Sequence, residues 1–218
     1  SFGIIIASNY SKYNEVSDNI LIDNSYASVY FDQSSFGLIS RNRIIDSKTL
    51  LSGCSIVLNT CFFNIVSENT VLRCKRFIDQ WHSANNTIFN NNFLEGIPWL
   101  TAPSNSWNTG YPVGGNYFWD YNGTDLYRGP YQNETGSDGI GDTPYILDEN
   151  NTDYYPLMKP YGGRIDIGIA RISVSPSGIR PGSSVNITIQ VVNYGYQNAT
   201  FNMTCFSNTT MLADFGQF

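Results

Sequence analysis

Carboxylates and turn residues are concentrated near the middle of the chain, where oxygen ligands could surround a cation. The run Asp138-Gly139-Ile140-Gly141-Asp142 resembles the second half of a calcium loop, in which a glycine permits the sharp turn and a backbone carbonyl joins the carboxylates. Glu134 and Gly136 stand where the first and third ligands belong, so the loop is degraded. Two interpretations stay open: a Ca²⁺ site, and carboxylates that cap turns. The predicted ligands are Asp138, Ile140, Asp142 and Asp148, with Asp120, Asp125 and Asp153 as further carboxylates near the loop.

Acids and bases in the first half of the chain could support catalysis only if they met on one face. Asp18, Asp32 and Asp46 fall at different positions of the repeat described below. We expect no acidic partner at a matching register for the basic residues, and therefore a solvated face rather than an active site. These basic residues are Arg41, Arg43, Arg73, Lys75 and Arg76. We interpret His82, the single histidine, as a turn residue beside Trp81.

Nine Asn-x-Ser/Thr acceptor sites and four cysteines indicate the compartment. This density of acceptor sites favours a secreted glycoprotein that carries N-linked glycans. Cys54 and Cys74 lie near the two ends of one repeat, so a disulfide between them and a ladder of buried thiols are both open. We place Cys61 at a turn position that carries Ser11, Ser35 and Ser83 in the other repeats. The acceptor sites are Asn9, Asn85, Asn122, Asn133, Asn150, Asn186, Asn198, Asn202 and Asn208.

Composition excludes several classes of partner. The 218 residues are 41% hydrophobic but only 14% charged, with a net charge of −6, so there is no basic footprint for nucleic acid. No apolar run approaches the roughly 18 residues that span a bilayer. A surface rich in Asn, Ser, Thr and Tyr suits closely stacked strands, because like charges in register would repel one another. The composition therefore predicts an all-β protein.

Four segments of the first half repeat one pattern, anchored at Asn19, Asn42, Asn69 and Asn91 with steps of 23, 27 and 22 residues. Apolar residues come in short alternating groups, which excludes a helical repeat and predicts a β-solenoid with coils about 4.8 Å apart. The repeated asparagine is expected to turn the chain and to form a hydrogen-bonded ladder. One internal stack should contain Ile4 and Ile6, Val29 and Phe31, and Ile56 and Leu58; another should contain Val16, Leu38 or Ile39, Val66 and Ile88.

These repeats resemble the right-handed parallel β-helix units of NosD-like and carbohydrate-binding proteins, over residues 2 to 95. The segment from Trp107 to Asp125, with the segment from Ser137 to Pro160, is similar to the block that closes archaeal NosD-like surface proteins. We expect coils over residues 1–105 and an aromatic-rich C-terminal cap and joint over 106–160. The rival interpretation is an aromatic sugar-binding groove. The aromatic residues concerned are Trp99, Trp107, Tyr111, Tyr117, Trp119, Tyr121, Tyr145, Tyr154 and Tyr155.

Residues 161–218 change to strict alternation of apolar and polar residues, as in the stretch from Val185 to Val191. The segment from Asp166 to Phe206 resembles the first strands of the cell-adhesion-related CARDB family, whose fold is an immunoglobulin-like β-sandwich. Such a sandwich needs about seven strands, whereas only three or four are predicted here. We therefore expect a partial sandwich whose open sheet is completed by further sequence or by another chain.

These expectations combine in an extracellular or cell-surface glycoprotein of archaeal type without enzymatic activity. Its role would be structural, adhesive or polysaccharide-binding, with extracellular polysaccharide or neighbouring surface-protein subunits as partners. Two alternatives stay open: a carbohydrate-active lyase or hydrolase with catalytic coils upstream of Ser1, and NosD-like maturation of a copper centre. Maturation of a copper centre fits the residues poorly, because the chain has only one His and three Met and its soft ligands are not clustered.

Overall fold

Short strands joined by tight corners make up most of the structure. The computed structural model describes residues 2–45, 54–101, 105–162, 167–175, 186–193, 200–207 and 210–217. It divides into two compact units, Ser1–Tyr161 and Gly162–Phe218. All the regular elements among the described residues are β-strands, and none of these residues lies in a helix that could cross a membrane.

The first unit begins with four coils of three short parallel strands each. The first strands of the coils form one parallel sheet with β13, the second strands form a second sheet, and the third strands form a third with β14. This is the predicted solenoid. The strands are β1 (Phe2–Lys12), β2 (Glu15–Ser17), β3 (Ile20–Ile22), β4 (Ala27–Ser35), β5 (Leu38–Ser40), β6 (Arg43–Ile45), β7 (Cys54–Asn59), β8 (Ile65–Ser67), β9 (Thr70–Leu72), β10 (Arg76–Trp81), β11 (Thr87–Phe89), β12 (Asn92–Phe93), β13 (Ile97–Leu100) and β14 (Tyr117–Phe118).

Both predicted internal stacks are confirmed by the strand register. Ile4, Val29 and Ile56 are paired in successive coils, as are Ile6, Phe31 and Leu58. In the second stack the member from coil 2 is Ile39, which pairs with Val16 and Val66. Side chains of the same kind therefore lie above one another along the coil axis, and their burial supplies the core.

The corners between strands are made by residues in the left-handed region, and each coil has several of them. The corner before the repeated asparagine is occupied by Asp18, Arg41, Glu68 and Asn90, with φ of 59°, 53°, 59° and 56°. We expected the asparagines themselves to make this turn, which is wrong: the preceding residue adopts the strained conformation. Each asparagine is thereby left free to point its side chain inward.

After coil 4 the chain forms irregular segments with two small antiparallel hairpins. Trp107 and Phe118 are fully buried, and Tyr121, Tyr145 and Leu147 pack on the same core as the coils. By contrast, Tyr111, Trp119 and Tyr154 are 40%, 52% and 61% exposed. The hairpin strands are β15 (Tyr127–Arg128), β16 (Glu134–Thr135), β17 (Tyr145–Ile146) and β18 (Thr152–Asp153).

The second unit contains two antiparallel strand pairs, β19 (Ile167–Ser175) with β20 (Asn186–Asn193), and β21 (Asn202–Ser207) with β22 (Thr210–Gln217). The alternation of apolar and polar residues along β20 is only partly matched by burial of the apolar side chains. Ile189 and Val191 are half-buried, whereas Ile187 is 44% exposed. The predicted immunoglobulin-like arrangement stays a prediction.

Candidate functional site

Asparagine side chains inside the solenoid form a continuous hydrogen-bonded ladder, which we call the long ladder. Its rungs are Asn19, Asn42, Asn69, Asn91 and Asn116. In each step the backbone N–H and the Nδ2 of one asparagine donate to the Oδ1 of the next; for Asn69 and Asn91 the distances are 3.0 and 2.9 Å. The Nδ2 of Asn69 also donates to the carbonyl of Ile39 in the preceding coil, at 2.8 Å. The predicted ladder is confirmed, and it extends beyond the four repeats.

The long ladder ends on a carboxylate rather than on a further amide. Asn116 donates from its backbone N–H to Asp153 Oδ2 at 2.7 Å, and Tyr155 donates from its backbone N–H to Asp153 Oδ1 at 3.0 Å. Asp153 is fully buried. Burial raises its pKa to about 7, although the donors from Asn116 and Tyr155 act in the opposite direction. A Cβ on Gly115 would lie 1.9 Å from Asp153 Oδ1, so only glycine fits there.

A second ladder, the short ladder, runs along the adjacent corner through Asn64, Asn86, Asn105 and Asn151. Asn151 Nδ2 donates to Asp148 Oδ1 at 3.0 Å, so this ladder also ends at a carboxylate of the β17–β18 hairpin. In coil 2 the ladder position is Gly37, whose N–H donates to Asn64 Oδ1 at 2.8 Å. A Cβ at Gly37 would lie 2.9 Å from the Phe31 ring, which explains the missing asparagine.

The carboxylates among the four predicted calcium ligands each accept hydrogen bonds in the described structure. Asp142 accepts hydrogen bonds from the backbone N–H groups of Leu126 and Tyr127, at 2.8 and 3.0 Å. Asp138 accepts from the N–H of Gly129 and from Gln132 Nε2, both at 3.0 Å. Asp148 accepts hydrogen bonds from Asn151, as described above.

Among the described residues, no group of three or more His, Cys, Asp and Glu side chains is placed to hold a metal ion. The hydrogen bonds that Asp138, Asp142 and Asp148 accept fit turn capping, the alternative that the sequence left open. Ca²⁺ binding at these residues stays a prediction.

Asp125, a further carboxylate of this region, also binds backbone groups. It accepts hydrogen bonds from Ser137 Oγ at 2.7 Å and from the N–H groups of Asp138 and Gly139 at 3.0 and 2.9 Å. Partial burial raises the pKa of Asp125, but these three donors outweigh it and the net direction is downward. The ionised carboxylate thus fixes the loop before Ile140.

Basic residues do find acidic partners in register, so our expectation of unpaired bases is wrong. Arg41 forms a two-pronged ion pair with Asp18 of the preceding coil, at 2.8 and 2.7 Å. The 23-residue step that relates Asn19 to Asn42 also relates Asp18 to Arg41, so this ion pair follows from the repeat itself. Both side chains are half exposed, so the pair contributes little stability.

A cluster on the first sheet joins an arginine, a carboxylate and an indole. Arg76 Nη1 lies 3.1 Å from Asp79 Oδ2, and Asp79 is 3% exposed. The guanidinium of Arg76 lies over the Trp99 ring at 4.0 Å from its centroid, a cation–π contact. Trp99 itself remains 45% exposed. The buried carboxylate fixes the arginine, and the arginine fixes the indole.

Trp99 borders an open groove of about 360 Å³, which we call the Trp99 groove. Leu147 and Asp148, from the β17–β18 hairpin, form its other side. The groove thus combines an aromatic surface with hydroxyl and carboxylate groups. From the sequence, Trp99 belongs to the aromatic set and Arg76 to the basic residues, but Asp79 and the link between the three were not predicted. In the parallel register Asp79 pairs with Trp99 and Arg76 pairs with Ile97, so following the first-strand register one coil further could have found the cluster. The lining residues are Pro98, Trp99, Leu100, Thr101, Leu147 and Asp148.

The predicted acceptor asparagines are exposed wherever their side chains are described: Asn85, Asn122, Asn133, Asn150, Asn186 and Asn202. The side chain of Asn9 is not described, and Asn198 and Asn208 lie outside the described residues.

The cysteines likewise include residues whose side chains are described and residues whose side chains are not. Cys74 is buried with its Sγ 3.3 Å from the carbonyl oxygen of Leu72, whereas the side chain of Cys54 is not described, so their disulfide stays a prediction. Cys61 occupies the position of Ser34, one residue before the predicted Ser35, since Ser35 pairs with Phe62. Burial raises the pKa of the Cys61 thiol to about 11.

Three parallel sheets and stacked internal side chains define the class of this protein as a parallel β-helix. A family profile described as "Right handed beta helix region" matches residues 1–94, which contain the four coils, and supports a right-handed β-helix there. Comparisons with curated proteins and with solved structures gave no significant match.

Proposed function

We propose that this chain is a non-catalytic, extracellular or cell-surface glycoprotein that binds polysaccharide at the Trp99 groove. The observation that carries the proposal is the half-exposed Trp99, held by Arg76 and Asp79 beside a groove that offers Thr101 and Asp148. The apolar face of a pyranose ring packs on an indole, and its hydroxyls need the donors and acceptors that such a groove supplies. A rigid coil stack keeps these groups in place without a ligand.

Asp79 supports binding rather than acid–base chemistry. Its carboxylate is buried and paired with Arg76, so its described role is to position the guanidinium against Trp99. A general acid or base must instead reach the proton that it transfers.

The same proposal includes the finer features of the sequence resemblance. Residues 106–160 would close the coil stack, supported by the buried Trp107 and by both ladders ending on Asp153 and Asp148. The NosD-like, archaeal affiliation and the CARDB-like nature of residues 161–218 rest on the motifs alone. Neighbouring surface-protein subunits would be partners through this second unit.

The groove is tested by comparing Trp99→Ala with Trp119→Ala. Both tryptophans are about half exposed, at 45% and 52%, but Trp119 lies outside the groove and donates its Nε1–H to the Gly96 carbonyl. A panel of neutral and acidic polysaccharides is screened by affinity electrophoresis, and positive members are titrated by calorimetry. Trp99→Ala should weaken binding about tenfold, and Trp119→Ala should not change it. No binding across the panel, or equal losses in the two variants, would refute the proposal.

A further inference from the structure

Three exposed aromatic side chains stack along one outer corner of the solenoid, and we call them the outer column. Tyr13, Phe36 and Phe63 are 76%, 46% and 52% exposed. The ring centroids of Tyr13 and Phe36 are 5.7 Å apart and those of Phe36 and Phe63 are 5.3 Å apart, with the latter rings 8° from parallel. Each residue has a left-handed backbone, with φ of 58°, 56° and 58°. An apolar column of this kind, beside which Lys12 Nζ lies 5.9 Å from the Phe36 ring centroid, offers a contiguous surface for a partner to cover.

The next position of this column is Asn85. Phe62 pairs with Ala84, and Asn64 donates to Asn86, so Phe63 and Asn85 hold equivalent positions in coils 3 and 4. Asn85 has the same left-handed backbone, with φ of 57°, and its side chain is exposed. It begins the acceptor sequence Asn85-Asn86-Thr87.

The stacking leaves one ring face turned toward coil 4. The faces of Phe36 are covered by Tyr13 and Phe63, whereas the described ring contacts of Phe63 are all with Phe36. The other face of Phe63 therefore points toward Asn85. A sugar attached to Asn85 Nδ2 starts one coil spacing away, about 4.8 Å, which is close to the contact distance between stacked rings.

We propose that Asn85 carries an N-linked glycan whose first sugars pack their C–H faces on Phe63 and cover the outer column. This inference rests on the extracellular glycoprotein part of the proposed function and not on the Trp99 groove. The glycan would act as the missing partner of the apolar column. Other exposed acceptors serve as controls: Asn150 lies in the β17–β18 hairpin and bonds to Asp148 and Glu149.

The test uses the full chain secreted from a host that glycosylates Asn-x-Thr sites, together with the same chain made without glycans. Peptide mass spectrometry gives the occupancy at each acceptor, and thermal unfolding is measured for Asn85→Gln, Asn150→Gln and Phe63→Ser. In the glycosylated protein Asn85→Gln should lower Tm by about 2–4 °C and Asn150→Gln by less than about 1 °C. In the unglycosylated protein Asn85→Gln removes no glycan, so it should lower Tm by less than it does in the glycosylated protein. We call this difference the glycan-dependent part of the shift. With Phe63→Ser in the background, that part should also disappear.

The outcomes separate the two proposals. Glycans at other acceptors but not at Asn85, or equal Tm shifts for Asn85→Gln and Asn150→Gln, would overturn the inference alone. An Asn85→Gln shift that persists without glycans, or with Phe63→Ser, would do the same, because it would come from the asparagine itself. No glycan at any acceptor would overturn the glycoprotein proposal as well. Polysaccharide binding at the Trp99 groove would still be tested separately by the titrations.

Discussion

Two columns of stacked aromatic rings run along the same solenoid, one inside and one outside. The inner column contains Phe77, Phe93, Phe118 and Tyr145, with successive centroids 4.1, 5.6 and 3.9 Å apart. The outer column has similar spacings of 5.7 and 5.3 Å. Coil register aligns the outer rings with one another and Phe93 with Phe118. Phe77 and Phe93 belong to one coil, so rings stack both between and within coils, whether or not they are buried. What separates the columns is burial, so their energetic contributions should differ much more than their geometries.

The largest effect is expected from truncating one ring in each column. Phe93→Ala removes a fully buried ring from between Phe77 and Phe118, and should lower the free energy of unfolding by about 3–5 kcal/mol. Phe36→Ala removes a ring that is 46% exposed, and should cost less than about 1 kcal/mol. Urea unfolding measures both. Equal losses would mean that stacking, rather than burial, holds the coils together.

A smaller effect is expected from the polar part of the interior. Asn69→Ala leaves the Asn42 donors and the Ile39 carbonyl without their partner, and should cost about 2–4 kcal/mol. Asn19→Ala removes the first rung, which receives no hydrogen bond from a described preceding coil, and should cost about 1 kcal/mol. The measurement is again urea unfolding. If Asn19→Ala costs as much as Asn69→Ala, the ladder adds nothing beyond its local bonds.

The end of the interior ladder should make stability depend on pH. The pKa of Asp153 rises from 3.8 to about 7 on folding, so the folded state holds its proton more tightly than the unfolded chain. Stability should therefore fall as pH rises from about 4 to about 7. Asp153→Asn should flatten this part of the pH profile of Tm, whatever its stability at one pH. An unchanged profile in the variant would assign the dependence to other groups.

The smallest effect is expected from removing Ca²⁺. Carboxylates at the hairpin end already accept backbone N–H groups, as Asp142 does from Leu126 and Tyr127, so chelation should shift Tm by less than about 1 °C. Thermal unfolding with and without a chelator checks this. A loss of several degrees, restored by added Ca²⁺, would instead support the predicted ligands Asp138, Ile140, Asp142 and Asp148.

Periodicity made the coils predictable from the sequence, because equivalent residues at steps of 22 to 27 must stack. The inward rows and the asparagine ladder follow from that rule alone. The Arg76, Asp79 and Trp99 cluster was missed because its members fall on both sides of the point where the repeat becomes irregular. The ladder ends were missed for a different reason: Asn116 and Asp153 are 37 residues apart, beyond the reach of any local pattern.

The ladders have a direction. In the long ladder the side-chain carbonyl of each inner rung accepts from the coil before it, and its backbone N–H donates to the coil after it, as Asn69 does toward Asn91. In the short ladder Asn105 likewise donates from its backbone N–H to Asn151. A carboxylate accepts the hydrogen bond from the last amide but has no N–H group to donate to a further asparagine. The long ladder therefore ends at Asp153 and the short ladder at Asp148. Both hydrogen-bonded series therefore stop at an acid, which gives the coil stack a defined polar end after coil 4.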